Sequence, residues 1–513
     1  FGAVDGMIMA HLLCGIRSDV RIMANYHLSR IPALRDLFLI VDPFHGSSAW
    51  KSNVKPLRES IRWLRNGGLL MVFPAGEVSH FHLGRRRVVD PAWSDTIGRL
   101  VHGCRVPVVP VCFHGRNSAL FNLAGMLHAS LRTILLPREL VGKSNSRIQV
   151  SLGKAIDYRK LTCFESPREL TDYLRLRCYL LESGDPLGRK KSVRLRLSRN
   201  RKRDSLPIHP PIDRISLRNE IDALPDDALL HTSGKFAVYI ARAEAIPRTL
   251  QEIGRLREMT FRDAGEGTGR ATDIDLFDTW YRHLFIWNWQ TDEVVGAYRL
   301  GLVREILAGR GSKGLYSRTL FRYRKSLLEE FEPALELGRS FVRVEYQRSF
   351  QALGLLWKGI GRIAFNENLA VLFGPVSISR QYSDSSRRLI AGCLQQGEFR
   401  SHLAPMVRPR RSLKDRFGHG VLPVDVGLAT NLELVSDIVS QFEEDDKGLP
   451  VLVRQYLKMG GQFLGFNLDT EFSDVVDGLV MVDLRRCDPK ILARYMGSEN
   501  ATIYLERIRN GHP

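Results

Sequence analysis

Two apolar patterns alternate through the first 185 residues. Leu57, Ile61 and Leu64 recur at helical spacing, with Asn53 or Ser52 placed to cap that helix and Pro56 in its first turn. Gly67-Gly68 ends it, and the continuous run Leu69 to Phe73 has the length of a buried strand. The unit recurs. Ser94 is positioned to cap a short helix ending near Gly103, and Val106 to Phe113 follows as an apolar strand that Pro107 and Pro110 confine to a sheet edge or a strand end. Ile148, Val150 and Leu152 alternate as a half-buried strand. Ser166-Pro167-Arg168-Glu169 is a capping box with proline at the first helical position, predicting a helix to about Leu181. This is the order of an α/β domain.

From Asp185 to about Leu229 the chain turns basic and then proline-punctuated (Pro186, Pro207, Pro210, Pro211, Pro225), the composition of a linker. Periodicity resumes near Phe236. It predicts a helix over Leu250 to Arg262, strands over Val294 to Leu302 and Leu335 to Val344, and a helix from about Phe350 to Phe365. The expected organisation is an α/β domain over 1–185, a linker over 186–229 and a second α/β domain over 230–513, with no internal repeat between the halves.

Composition narrows the class. With 513 residues, 44% of them hydrophobic and 26% charged, the chain is long enough for two or three globular domains and wholesale disorder is excluded. No window approaches the roughly 18 apolar residues of a spanning helix. Seven cysteines lie scattered with no C-x-x-C pair, as expected of reduced thiols in a cytosolic compartment. The net charge of +19 implies an anionic partner. Nine of the fifteen residues from Arg189 to Arg203 are basic and none is acidic or aromatic, which suits an anionic lipid surface better than nucleic acid, a solvated linker being the plain alternative.

Common nucleotide and hydrolase signatures are missing. Pro137 stands where the first glycine of a phosphate-binding loop ending in Gly142-Lys143-Ser144 would be, and there is neither G-x-S-x-G nor H-E-x-x-H. Gly265-Glu266-Gly267-Thr268-Gly269 follows a predicted helix rather than a strand, which disfavours a dinucleotide fold. No zinc spacing is present, and no bound cofactor is expected.

Three motifs stand in order over the first 160 residues: Phe1-Gly2-Ala3-Val4-Asp5-Gly6, then Phe73-Pro74-Ala75-Gly76-Glu77-Val78-Ser79, then Val106-Pro107-Val108-Val109-Pro110-Val111. Together they resemble the glycerolipid acyltransferases of the lysophosphatidic-acid type, whose His-Asp motif would place Asn-His-Pro immediately ahead of Phe1. The chain is therefore expected to begin at a fragment boundary. The resemblance implies that Asp5 orients the missing imidazole while it takes a proton from an acceptor hydroxyl, and that Phe73, Pro74, Gly76, Glu77, Ser79 and Pro107 shape the substrate site. Ala75 and Val78 replace the Glu and Arg usual in the second motif, removing the cation that would hold a phosphate. An acceptor with another head group, such as a hydroxyacylated amino acid, is expected instead of glycerol 3-phosphate.

In the second half, Asp273-Ile274-Asp275-Leu276-Phe277-Asp278, then Gly296-Ala297-Tyr298-Arg299-Leu300, then Glu336-Leu337-Gly338-Arg339-Ser340 resemble the acyl-homoserine-lactone synthases. Over nearly all of 236–513 the chain resembles the ornithine-lipid N-acyltransferases once named hemolysins. Both families imply a GNAT-like α/β fold and an acyl thioester donor, of acyl-carrier protein rather than coenzyme A, since no glycine-rich pyrophosphate loop follows the Leu335 to Val344 strand. The resemblance implies that Glu336 accepts the proton of an incoming amine, that Arg339 and Arg299 hold carboxylate or acyl groups, and that Asp275 and Asp278 bind an ammonium group. Glu336 and Arg339 lie three apart on a strand and point to opposite faces unless a bulge intervenes. Trp280, Trp287 and Trp289 read as core or pocket wall.

The expected protein is a bifunctional acyltransferase that N-acylates an amino acid, ornithine first among them, and then O-acylates the resulting lyso-lipid. It would be peripheral on the inner membrane of the bacterial cytoplasm, with acyl-carrier protein and an anionic membrane surface as partners and no nucleic acid. The rivals are a lysophospholipid O-acyltransferase with a non-catalytic second half and a non-enzymatic basic membrane-docking protein. Because an exposed basic run attracts anionic lipid through screened charge, replacing the basic residues between Arg189 and Arg203 by Gln should release the protein from anionic vesicles, as raised salt should. Vesicle sedimentation that is indifferent to both changes would make the run a linker only.

Overall fold

The computed structural model describes residues 3–25, 37–41, 47–76, 78–82, 87–115, 117–118, 121, 135, 138–139, 141–142, 147–183, 206–349, 351–413, 432–443, 445–470, 472 and 474–509. Glu77 and the basic run Arg189 to Arg203 lie outside the described residues. The chain divides into two compact units, Phe1–Ser192 and Val193–Pro513.

In the first unit α1 (Ala3–Cys14) leads into β1 (Val20–Asn25), which pairs in parallel with β2 (Phe38–Val41) and β3 (Leu69–Met71). Ala10 of α1 and Val20, Ile22, Ala24 and Phe38 of the strands are buried together, with Leu69, Met71 and Phe73 packed against them. Between β2 and β3, α2 (Ser47–Arg65) starts earlier than its capping residues suggested. Pro56 is interior to it, and the Ser60 hydroxyl donates to the Pro56 carbonyl at 2.8 Å. After β3 come the short hairpin strands β4 (His80–His82) and β5 (Arg87–Val89), α3 (Thr96–Cys104), and the antiparallel pair β6 (Val111–His114) and β7 (Gln149–Leu152). A four-residue turn of helix, α4 (Tyr158–Leu161), precedes α5 (Pro167–Ser183), which opens where the capping box placed it: the Ser166 hydroxyl accepts from the Arg168 amide at 3.1 Å.

Two expectations change here. The apolar run from Val106 pairs as a strand only from Val111, because Pro110 has no N–H to give a ladder; ahead of it Val108 makes a single bridge to Ile156. In β7 the buried side chain is Ser151, whose hydroxyl bonds His114 Nε2 at 2.7 Å, while Leu152 is 62% exposed. The apolar alternation therefore points the opposite way from the reading of the sequence.

In the second unit α6 (Arg214–Asp222) lies within the stretch read as linker. Asp213 caps it, accepting from the Ser216 amide at 2.8 Å, and Leu217 and Ile221 are buried in the core, so from residue 206 onward this stretch is part of the fold. Eight strands follow in one sheet: β8 (Leu229–Ser233), β9 (Phe236–Arg242), β10 (Arg282–Asn288), β11 (Glu293–Leu302), β13 (Ala334–Val342), β14 (Val371–Ile378), β16 (Gln462–Asp469) and β17 (Val475–Asp483). Their order is β16-β17-β14-β13-β11-β10-β9-β8, and two further strands, β12 (Phe321–Tyr323) and β15 (Val407–Pro409), pair separately. Helix α7 (Pro247–Asp263) packs on the face bearing Tyr239, Phe285 and Trp287. Between β11 and β13 lie α8 (Val303–Arg310) and α9 (Lys325–Phe331). The alternate residues Val238 and Leu284 on the opposite face receive α10 (Gln351–Asn366) at Gly359.

Two irregularities shape the middle of this sheet. Pairing of β11 with β13 advances two residues on one strand, Ala297 to Arg299, and three on the other, Phe341 to Gly338, which is a bulge; Arg339 sits in it with φ of 48°. Among the described strands of this sheet the one parallel pair, β13 with β14, is in register from Ala334–Val371 to Glu336–Phe373 and ends there, although both strands run on. Leu337–Val342 remains paired to β11 on one side and Gly374–Ile378 to β17 on the other, so their facing edges open into a wedge. At its apex the strands touch, since a Cβ on Gly374 would stand 2.0 Å from the Leu337 carbonyl oxygen. Gly374→Ala should therefore force the apex apart and lower stability by about 1–3 kcal/mol, read as a fall in the thermal unfolding temperature.

Candidate active site

The side chains around the bulge form a buried row of alternating charge. Arg257 of α7 pairs with Asp278 at 2.8 Å, Asp278 with Arg299 of β11 at 3.3 Å, and Arg299 with Asp275 at 2.6 Å. Asp275 then meets Arg339 of β13 at 3.5 Å, and Arg339 meets Asp273 at 3.2 Å. Burial opposes ionisation of Asp278, but Arg257 and Arg299 outweigh it and hold its carboxyl below the usual range. Burial likewise disfavours the charge on Arg339, and Asp273, Tyr316 and Asp275 more than offset it. For Asp273 burial prevails over its arginine neighbours, so its pKa is raised. His283, buried beside Arg257, is pushed down to about 4 and is neutral at pH 7.

Aromatic rings complete the row. The Arg299 guanidinium, only 1% exposed, lies 4.8 Å from the centre of the Tyr316 ring and 5.3 Å from that of Tyr281; Arg339 lies 4.9 Å from Tyr316 and 4.6 Å from Phe472. The bulge thus brings Arg339 to the side of the sheet on which Glu336 and Arg299 stand. Trp287 is core, and Trp280 packs against a separate buried cluster with its Nε1 donating to the Gly314 carbonyl.

Glu336 is placed differently from the expected proton acceptor. It is 1% exposed, and its carboxylate accepts from the Tyr281 hydroxyl, the Tyr316 amide at 3.0 Å, the Ser317 amide at 2.7 Å and the Ser317 hydroxyl. Four donors occupy the lone pairs a carboxylate offers. The geometry makes Glu336 the anchor of the Tyr316–Thr319 turn and hence of the Tyr316 ring between the two arginines. Asp278 is similarly committed: with Asp275 it forms a reciprocal cap on the turn Leu276–Thr279, accepting from the Asp275 amide at 2.9 Å. Of the pair expected to bind an ammonium group, Asp275 alone retains partial exposure.

Two side chains missed by sequence reasoning face the open end of the wedge. Glu266, in the glycine-rich loop after α7, accepts from the Ser377 hydroxyl of β14 at 2.8 Å. Asp477 pairs in register with Ser377 from β17. The buried carboxylate of Glu258 fastens that loop, accepting from the Thr268 and Gly269 amides. The signal for Asp477 was available: it interrupts the apolar run Val475 to Val482.

In the first unit, α1 runs down into β1, so its first turn, bearing Asp5, stands at the carboxyl ends of β1 and β3, where substrates bind in open α/β sheets. Phe73-Pro74-Ala75-Gly76 leaves β3 at that same edge, turning with the Gly76 amide on the Phe73 carbonyl at 3.1 Å. Ser79 bonds Asp90, which also accepts from Trp93 Nε1. Pro107 is exposed between α3 and β6. Phe73, Pro74 and Gly76 thus follow the carboxyl end of β3, and Asp5 lies in the first turn of α1. Among the described residues no group of three or more His, Cys, Asp or Glu side chains is placed to hold a metal ion, and no helix is long and apolar enough to cross a membrane.

Residues 1–187 match a family model described as Acyltransferase, and residues 256–358 one described as Acetyltransferase (GNAT) domain. Glycine N(alpha)-acyltransferases of Phocaeicola vulgatus and Bacteroides thetaiotaomicron are each 34% identical to the chain over 197 residues; the alignments cover 36% of this chain and 60% and 58% of those proteins. The chain thus spans less than two thirds of the length of these relatives. Solved structures of a CoA-dependent acyl-homoserine lactone synthase, BjaI, one with SAM and isopentyl-CoA and one with MTA, match 54% of this chain and 90% of theirs at 11% identity, with TM-scores of 0.25 and 0.24. The expected fold class holds: an acyltransferase-type α/β unit precedes a GNAT-type α/β unit.

Removing one member of the charge row leaves its neighbours buried and uncompensated. Asp278→Asn should cost about 3–5 kcal/mol, measured by denaturant unfolding, because Arg257 and Arg299 then face each other without their shared counter-ion.

Proposed function

We propose that the protein is a bifunctional acyltransferase of aminolipid synthesis, in which the second unit N-acylates an amino acid and the first O-acylates the product. The observation that carries the reading is the β13/β14 wedge, opening beside Arg299 and Arg339 in a unit whose residues 256–358 match the GNAT model. Among the described residues the facing edges of Leu337–Val342 and Gly374–Ile378 have no ladder partner, and an extended chain bearing amides, such as the pantetheine arm of a thioester donor, supplies the partners they need. The free amine nitrogen then attacks the thioester carbonyl, the carbon–sulfur bond breaks, and the proton lost by the nitrogen ends on the departing sulfur, giving an amide and a free thiol. Amides on the wedge edges and the Arg339 guanidinium are the charge-stabilising groups nearest the developing oxyanion. The donor is an acyl-carrier-protein thioester carrying a 3-hydroxyacyl chain, and ornithine or glycine is the acceptor; glycine is what the relatives' names specify.

The 3-hydroxyl so installed becomes the acceptor for the first unit. There a general base oriented by Asp5 takes the hydroxyl proton. Both sites in one chain raise the local concentration of an amphiphilic intermediate that itself stays at the membrane surface.

Lipid mass spectrometry tests this in a host lacking aminolipids that expresses the protein. A two-chain aminolipid should appear. Asp5→Asn should leave N-acylation intact and shift the ratio of lyso-lipid to diacyl lipid at least tenfold toward the lyso form, whereas Arg339→Lys, which keeps the charge and loses the forked geometry, should lower both. New glycerophospholipid with no aminolipid would assign the second unit a non-catalytic role.

A further inference from the structure

An amine in water at neutral pH is held mostly as its ammonium, which has no lone pair with which to attack a thioester, so N-acylation needs a group that takes the proton. The carboxyls around the wedge are mostly committed elsewhere. Glu336 accepts from four donors, Glu258 accepts from the Thr268 and Gly269 amides and from Arg262, and Asp273, Asp275 and Asp278 are paired with arginines. Asp477 is lifted well above the ordinary carboxyl range by burial and by the charges of Asp469 and Glu266, so it is already protonated at neutral pH. Glu266 is the exception. Among the described residues the Ser377 hydroxyl is its one hydrogen-bond partner, and it engages one of the two carboxylate oxygens.

The end of α7 fixes where this carboxylate stands. The Gly265 amide donates to the Arg262 carbonyl at 2.9 Å and the Glu266 amide to the Phe261 carbonyl at 2.6 Å, a helix-ending turn that needs the left-handed conformation Gly265 takes with φ of 74°. That turn sends Glu266 back against the sheet, where it is 5% exposed. Three side chains from the end of β14 and just beyond it hold the turn: Ser377 on the Glu266 carboxylate at 2.8 Å, Ser379 on the Ala264 carbonyl at 2.8 Å and Gln381 on the Asp263 carbonyl at 2.6 Å. Ser377 belongs to the Gly374–Ile378 edge, so the loop carrying Glu266 is fastened to one side of the wedge. Arg339 acts on Glu266 from the other side. A proton acceptor and the guanidinium nearest the developing oxyanion thus stand by opposite edges of one opening.

We propose that Glu266 accepts the proton of the acceptor's ammonium group at the β13/β14 wedge, freeing the amine that attacks the thioester. The assignment rests on the N-acyltransferase reading. The Glu266 carboxylate takes one proton from the ammonium and becomes a carboxylic acid; the freed nitrogen bonds the thioester carbon, the carbon–sulfur bond breaks, and the second proton of the nitrogen ends on sulfur. Glu266 then returns its proton to solvent, so ammonium and thioester give amide, thiol and one proton. The groups facing Glu266 set the pH at which this works. Arg339 of β13 and Ser377 of β14 favour its ionised form, Asp477 of β17 is a protonated neighbour, Glu258 and Arg262 of α7 are paired with each other, and Arg380 lies beside Gly265 from just beyond β14. Burial outweighs the two favourable groups and raises Glu266 to about 7. The carboxyl is therefore ready to accept a proton above that pH and already carries one below it.

Thiol release from a 3-hydroxyacyl thioester of acyl-carrier protein, followed with the full chain and glycine or ornithine from about pH 6 to about pH 9, tests the role. In the wild type kcat/KM for the amine should rise through about pH 7 and then level off, because ionisation of Glu266 rather than of the amine limits it. Glu266→Gln should lower kcat/KM about a hundredfold or more near pH 7 and make it climb steadily toward pH 9, where the amine loses its proton unaided and the gap narrows. Ser377→Ala keeps the carboxylate and removes a hydrogen bond that favours its ionised form, so it should move the inflexion to higher pH. A merely structural Glu266 would cost the same factor at every pH and leave the inflexion near 7. That outcome, a Glu266→Gln variant that turns over as the wild type does, or an inflexion that Ser377→Ala leaves in place would each overturn the role of Glu266 while the N-acyltransferase reading stands. Thiol release by the wild type that does not depend on the amine at any pH would overturn that reading, and the role with it.

Discussion

The second unit is organised around the buried row Arg257–Asp278–Arg299–Asp275–Arg339–Asp273. Isolated charges at such burial would be untenable, so each member is stable only while its neighbours in the row are in place. That mutual dependence ties together elements far apart in sequence: α7 supplies Arg257, the Leu276–Thr279 turn is capped by Asp275 and Asp278, and β11 and β13 supply the other two arginines. Replacing such a row with apolar side chains would favour stability, and a fold that retains it gains a rigid, charge-matched edge beside the wedge instead.

The bulge is the backbone feature that makes the row possible. On a regular strand Arg339 would stand across the sheet from Glu336 and its guanidinium could not reach Asp275. One extra residue, with Arg339 in a conformation that disfavours side chains, turns it to the same side. The conformational cost is of order 1–3 kcal/mol, and two carboxylates and two aromatic rings hold the arginine there. Glu336 belongs to the same device from the other direction, because its four hydrogen bonds set the Tyr316 ring against both guanidinium groups.

What was legible in the sequence follows from the range of the forces involved. The helix read over Leu250 to Arg262 is Pro247–Asp263, and the strand read over Val294 to Leu302 is Glu293–Leu302, because local periodicity and capping settle such elements. Helix α6 was hidden by the prolines around it, although Leu217 and Ile221 are core residues. The face of β7 was misassigned because a hydrogen bond to His114 draws Ser151 inward, an effect of a partner strand some 37 residues distant. Nothing local marks the bulge, which occupies an arginine rather than a glycine. The site residues Arg299, Arg339 and Asp275 were recognised through family resemblance, while Glu266 and Asp477 required the sheet to bring residues more than two hundred positions apart to one strand end.

Recognisable motif residues and reacting residues need not coincide, and Glu336 shows why. A carboxylate whose lone pairs are all occupied resists substitution as strongly as a proton acceptor would, since glutamine would turn its amide donor toward either the Tyr316 or the Ser317 N–H group. Its prominence in the Glu-Leu-Gly-Arg motif is therefore accounted for by architecture alone. A carboxyl that must exchange protons needs the reverse environment: burial with few donors, so that its pKa lies near neutrality. Glu266, buried with one hydrogen bond from Ser377, is raised by that burial to about 7, while the Glu336 carboxylate is committed to four donors. The proton chemistry of this half is therefore better sought on the loop that follows α7 than on the strand that carries the motif.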